Sequence, residues 1–151
     1  MSTTGFTPVE KSFFLQSGRK QMTTKLPYIV VSNFPSLGLL TSLRFLEWAA
    51  DNPNGVISLP TGKTPEYFIK WTQYLLKNWN NQEGRKIREK NGLLLDRKPS
   101  LKDLHFVQID EFYPINPRQH NSFYDYVINF YIKAFDLDPA KALLINSDEI
   151  T

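Results

Sequence analysis

Short apolar runs recur along this chain with stretches of helical period between them, and this alternation narrows the possible folds more than any other feature. Tyr28-Ile29-Val30-Val31 is β-branched and bounded by Pro27 and Asn33, and reads as a buried strand. Val56-Ile57-Ser58-Leu59 and Leu104-His105-Phe106-Val107-Gln108-Ile109 read as a second and a third, and Leu143-Leu144-Ile145 as a fourth. Between them, Leu39, Leu40, Leu43, Leu46, Glu47 and Ala50 recur at helical spacing behind Ser36 as N-cap. All but Glu47 lie on the apolar stripe, and the helix stops at Asp51-Asn52-Pro53-Asn54-Gly55. Tyr67, Phe68, Trp71, Tyr74 and Leu75 form the face of a further helix, with Thr64 as its cap and Pro65 at its first position. Ser122 and Asp125 resemble a capping box ahead of Phe123, Tyr126, Val127, Phe130, Tyr131 and Ala134. Strands alternating with helices imply a parallel α/β sheet, with ligands collecting at the C-terminal ends of the strands.

Two regions lie outside this pattern. Residues 1–26 are polar and rich in Thr and Ser, and read as an extension or loosely packed arm; residues 27–151 then form one α/β domain. Residues 78–102 are charged around Leu93-Leu94-Leu95 and read as a partly helical surface segment.

Two polar clusters fall at strand ends. Thr61-Gly62-Lys63-Thr64 joins a strand to a helix N-terminus, where free backbone N–H groups and the helix dipole favour an anion. Gly62 allows close backbone approach, Thr61 and Thr64 add hydroxyls, and Lys63 adds a charge, so phosphate is the natural guest. A capped helix after a tight turn explains the same residues equally well. The Gly-Lys-Thr triplet also imitates the end of a nucleotide-binding P-loop, but the first glycine of that motif would fall at Ile57, inside the strand. Asp110-Glu111 follows an apolar strand and could pass for the acidic pair of an ATPase, which keeps that reading as a minor one. At a strand end, one of two adjacent carboxylates can face the crevice while the other turns away, and partial burial would make it a better base near neutral pH. A solvated acid pair in a loop is the plainer alternative.

Composition removes several classes. There is no cysteine among the 151 residues, which excludes disulfides, thiolate nucleophiles and cysteine-ligated metals. His105 and His120 are the sole histidines; His105 reads as structural, and His120, in the loop before the aromatic helix, could reach the crevice but is more simply an exposed residue, so no metal site is expected. The net charge of +3 is mild, and the basic cluster Lys86, Arg88, Lys90, Arg97 and Lys98 matches no nucleic-acid motif, so no nucleic acid is expected as partner. No apolar run approaches the roughly 20 residues of a membrane span, no signal peptide is evident, and a cytoplasmic protein is the expectation.

Leu59-Pro60-Thr61-Gly62-Lys63-Thr64-Pro65 resembles the L-P-T-G-x-T-P loop of glucosamine-6-phosphate deaminases. Val107-Gln108-Ile109-Asp110-Glu111-Phe112 resembles their N-M-D-E-Y segment, and Asn121-Ser122-Phe123-Tyr124 the S-Y-Y that opens the next helix. The resemblance covers about residues 28 to 146. It implies a Rossmann-like, three-layer parallel sheet with helices on both faces, incomplete at the C-terminus. It implies that Thr61, Gly62, Lys63 and Thr64 hold the 6-phosphate of a sugar. It further implies that Asp110 moves a proton from C2 to C1 of the ring-opened amino sugar, with Glu111 in a supporting catalytic role and with neither metal nor organic cofactor. The products would be fructose 6-phosphate and ammonia. The expected partner is a small sugar phosphate, and homo-oligomerisation is left open.

The chain departs from the family in several ways. Lys77 to Asp103 is longer than usual, Lys63 replaces a small residue, and Phe112 replaces Tyr. The family's G-x-G-x-D-G-H-I-A-F-N-E segment, which supplies a ring-opening histidine, has no match here, and neither His105 nor His120 takes that role. The expectation is therefore the N-terminal portion of such an enzyme, inactive by itself. The competing readings are a 6-phosphogluconolactonase-like hydrolase, whose acidic motif reads D-E-R where this chain has Asp110-Glu111-Phe112, and a non-catalytic sugar-phosphate-binding protein.

Overall fold

The computed structural model describes residues 5–20 and 24–149; the rest of the N-terminal stretch and the last two residues lie outside the described part. The elements run α1 (Pro8–Ser17), α2 (Phe34–Asp51), β1 (Val56–Ile57), α3 (Glu66–Lys77), α4 (Gln82–Lys90), β2 (His105–Val107), α5 (Phe123–Val127) and β3 (Ala142–Leu143). A π-helical turn at Ile128–Ile132 continues α5. The sheet is parallel in the order β1-β2-β3, with Val56 opposite His105, Phe106 opposite Ala142, and Val107 opposite Leu143. It is a Rossmann-like α/β arrangement.

Period-two alternation decides which face of the sheet is covered. Ile57 and Phe106 point into a core closed by Ala49 of α2, Phe68 and Ile69 of α3, and Val127, Tyr131 and Ile132 of α5 and its continuation. Val56, His105 and Leu143 point the other way and are exposed, Val56 at 64% and Leu143 at 70%. The described residues thus supply the helical layer on one face of the sheet and leave the opposite face open.

α2 and α3 cross closely because Gly38 has no side chain: a Cβ there would stand 2.5 Å from Tyr67 Cβ and 2.8 Å from the Phe68 nitrogen. The buried hydroxyls of Ser42 and Thr72 meet at 2.9 Å across the same contact, and the Trp71 indole N–H donates to the Pro35 carbonyl at 3.1 Å.

Several local expectations are corrected. The N-terminal stretch is not loose throughout. Thr7 and Glu10 form a reciprocal capping box that starts α1, and Val9 and Phe13, one helical turn apart, bury against α2 residues Leu40, Leu43 and Leu46. Tyr28–Val31 joins no sheet among the described residues; Ile29 and Val31 pack against this second cluster instead. Asn33, not Ser36, caps α2, its Oδ1 accepting from the Ser36 N–H at 2.9 Å.

The charged segment after α3 is organised by Arg88, which is only 5% exposed. Its guanidinium lies 3.8 Å from the centre of the Trp79 ring, donates to the Trp79 carbonyl at 2.7 Å and reaches the Leu95 carbonyl at 3.3 Å. Three separate stretches of the segment are gathered by this one cation. Its Nε finds no acceptor among the described residues.

Candidate functional site

Parallel pairing of β1 with β2 carries both chain exits to the same edge of the sheet. Ser58 Oγ donates to the Val107 carbonyl at 2.7 Å and so ties the residue after β1 to the last residue of β2. Gln108, 5% exposed, continues the bracing. Its Nε2 donates to the Asp110 carbonyl at 2.9 Å, and its Oε1 accepts from the Ile145 N–H at 3.0 Å. The backbone at Asp110 is thus held from two sides, by its own strand and by the segment after β3.

The two consecutive carboxylates have different surroundings. Glu111 turns toward α5: Oε2 accepts from Ser122 Oγ at 2.7 Å and the Tyr124 N–H at 2.8 Å. Oε1 accepts from the N–H groups of Phe112 at 2.9 Å and Phe123 at 3.1 Å. These amides include donors of the first helical turn that no intrahelical carbonyl can satisfy. Burial by itself pushes the Glu111 carboxyl up, but the Tyr124 amide, the Ser122 hydroxyl and the amides of Phe123 and Phe112 together hold it below the ordinary value. Such a carboxylate stays ionised and fixes geometry; it is a poor proton acceptor. Ser122, the helix N-cap, accepts from the Asp125 N–H at 3.3 Å, as its spacing in the sequence anticipates.

Asp110 is exposed, without the partial burial anticipated for it, and its carboxylate takes no hydrogen bond or ion pair among the described residues. It stands at the mouth of the strand edge, while its neighbour is committed to the helix.

The loop after β1 carries Thr61, Gly62, Lys63 and Thr64 into α3. Gly62 adopts φ +88°, a left-handed conformation that favours glycine, with open space where a Cβ would project. α3 begins at Glu66, with Pro65 in the N-cap position and no side-chain cap, so Thr64 does not cap the helix as its position suggests. Pro65 offers neither a hydroxyl nor an N–H, and Thr64 stays exposed in the loop. The N–H groups of Gly62, Lys63 and Thr64 donate to no group of the described residues. Glu66, in the first turn, is ion-paired with Lys70 at 2.5 Å; that hydrogen bond and charge, with Lys63 also contributing, lower its carboxyl.

α5 and its continuation join the two clusters. Tyr126 Oη donates to the Gly62 carbonyl at 2.7 Å, and the buried Tyr131 hydroxyl donates to the Pro60 carbonyl at 2.5 Å. Thus Glu111 anchors the start of this helical segment, and the segment in turn holds the loop of Thr61–Thr64.

His105 is exposed on the open face of the sheet, and His120 is exposed in the loop ahead of α5. Among the described residues no group of three or more His, Asp or Glu side chains is gathered as metal ligands. An open depression of about 910 Å³ lies beside that loop, lined by Phe112, Arg118, Gln119, Asn121 and Asp148 among others; Thr61, Gly62, Lys63, Thr64, Asp110 and Glu111 do not line it. Among the described residues no helix is long and apolar enough to cross a membrane. Sequence reasoning missed Ser58, Gln108, Tyr126 and Tyr131 as parts of this edge. For the tyrosines, the available signal was a hydroxyl on a stripe where Phe would serve packing equally well.

No protein-family model matches the chain, and no curated protein matches it in sequence. Among solved structures, the chain is similar to a monomeric glucosamine-6-phosphate deaminase described as a missing link of the NagB superfamily, with a TM-score of 0.63 and 17% identity. The match covers 80% of this chain and 43% of that one, so the chain spans less than half the length of the deaminase whose fold it shares.

Proposed function

We propose that this chain is the N-terminal portion of a phosphosugar isomerase/deaminase that converts glucosamine 6-phosphate into fructose 6-phosphate and ammonia. The observation that carries the reading is the shared edge. β1 and β2 are neighbouring parallel strands whose exits are tied by Ser58 and Val107, so an anion-binding loop and a carboxylate pair open side by side. Thr61, Gly62, Lys63 and Thr64 receive the phosphate through backbone N–H groups left without partners among the described residues, two hydroxyls and one ammonium. With Glu111 held by four donors, Asp110 is the carboxylate left for chemistry. It takes the proton from C2 of the ring-opened amino sugar and returns it to C1; the resulting fructosimine is hydrolysed by water. A fixed phosphate and one positioned base supply proximity and proton transfer, the two terms such an isomerisation needs most. The fold shared with a glucosamine-6-phosphate deaminase supports the same reading.

The full-length protein that contains this portion, given glucosamine 6-phosphate, is expected to release ammonia and fructose 6-phosphate in equal amounts. Hydrolysis of 6-phosphogluconolactone without ammonia release would assign it to the lactonases instead. Phosphosugar binding with no turnover of either substrate would make it a sensor.

A further inference from the structure

We propose that Tyr126 is a positioning residue for the phosphate loop, acting on the peptide group between Gly62 and Lys63; this rests on the loop's assignment as the phosphate site. A glycine in the left-handed region leaves its following peptide free to rotate at little cost, so the loop sequence alone does not decide which way that peptide points. The Tyr126 hydroxyl decides it by donating to the Gly62 carbonyl at 2.7 Å. The sole cis peptide among the described residues is Tyr113–Pro114, so the Gly62–Lys63 peptide is trans, and its N–H points opposite to its carbonyl. Holding the carbonyl against α5 therefore turns the Lys63 N–H away from α5. Tyr131 does the same two residues earlier: its hydroxyl takes the Pro60 carbonyl, which turns the Thr61 N–H the same way. The phenols fix alternate peptides of one loop from one side, so two amides are presented together on the other.

The tyrosine rings are themselves held. Tyr126 packs on Phe130 at 4.6 Å and on Tyr131 at 5.9 Å between ring centres, and Tyr131 packs on Phe106 at 5.7 Å. Tyr131 is fully buried in the core, where a change disturbs packing as well as the hydrogen bond, whereas Tyr126 is half-buried and tolerates the change. Tyr126→Phe keeps the ring stack and removes only the donor, which makes it the informative variant.

The test is a titration of the native protein and the Tyr126→Phe variant with inorganic phosphate and with glucosamine 6-phosphate, followed by backbone amide NMR. Expected is an about tenfold rise in Kd for both ligands in the variant, from the loss of one oriented donor group. The melting temperature should stay near the native value, and the Lys63 amide resonance should move in the unliganded variant. In an active enzyme KM should rise and kcat should hold. Equal Kd values together with an unmoved Lys63 amide would overturn the proposal. Phosphate bound tightly by the native protein and about tenfold more weakly by the variant, with no binding of the sugar phosphate, would sustain Tyr126 and remove the sugar reading. A native protein that binds neither ligand would remove both.

Discussion

The Glu111 carboxylate and the Tyr124 amide meet at 2.8 Å, which fastens the chain leaving β2 to the first turn of α5 and commits one of two adjacent acids to holding that helix. Replacing Glu111 with Gln keeps the shape but turns one acceptor oxygen into a donor facing other donors. Glu111→Gln is expected to cost about 1.5–3 kcal/mol of stability, measured by chemical denaturation. The folded-state value lies below the ordinary 4.5, so the carboxylate's contribution is fully present above about that pH and is lost as pH falls through the lower folded value. The native protein should therefore lose stability on acidification below pH 4.5, with a shallower dependence in the variant.

Asp110→Asn removes a base without adding bulk at an exposed position. In the full-length protein, turnover is expected to fall by about 10²–10⁴, and exchange of the C2 hydrogen with solvent should vanish with it. Sugar-phosphate affinity should hardly change if, as proposed, the loop of Thr61–Thr64 carries the binding. Normal turnover by this variant would take Asp110 out of the mechanism.

Gly38→Ala sets two effects against each other. Helix propensity favours alanine by about 1 kcal/mol. The added Cβ, however, would stand 2.5 Å from Tyr67 Cβ and 2.6 Å from its backbone carbon, so α2 and α3 must separate. Packing wins, and the substitution is expected to destabilise by about 1–3 kcal/mol in urea unfolding.

Arg88→Ala deletes the cation that joins Trp79 to the Leu95 carbonyl. A loss of about 2–3 kcal/mol is expected, with faster hydrogen exchange across residues 79–95 than elsewhere. Lysine should not restore it, since an ammonium lacks the flat face that covers the Trp79 ring and the fork that reaches two separate carbonyls.

Much of the architecture was legible along the chain. Val56–Leu59 and Leu104–Ile109 contain β1 and β2, the Leu39–Ala50 stripe lies in α2, and Ser122 does cap α5. α1 carried a readable signal in Thr7-Pro8 followed by Glu10, but the Thr/Ser-rich composition around it masked the capping box. Tyr28–Val31 looks as strand-like as Val56–Leu59, yet among the described residues only the latter contributes to the sheet; a strand is a pairing, and nothing local in a four-residue run specifies its neighbour. Asn33 and Ser36 are both competent caps. Pro35 suits the first turn, where a missing N–H costs nothing, and that places the cap at Asn33.

By itself the sequence determined what depends on neighbours within a few residues: the helical and strand periods, the Gly62 turn, the Ser122 cap, and two polar clusters after apolar runs. Tertiary structure alone decided the rest. Asp110 and Glu111 are adjacent acids set apart by the donors that reach them, and for Glu111 three of those stand 11, 12 and 13 residues further along the chain. The grip of Tyr126 on Gly62 spans 64 residues. Such relations arise only once the strands pair in parallel and α5 docks, because local propensity sets a segment's shape while the fold sets which segments meet.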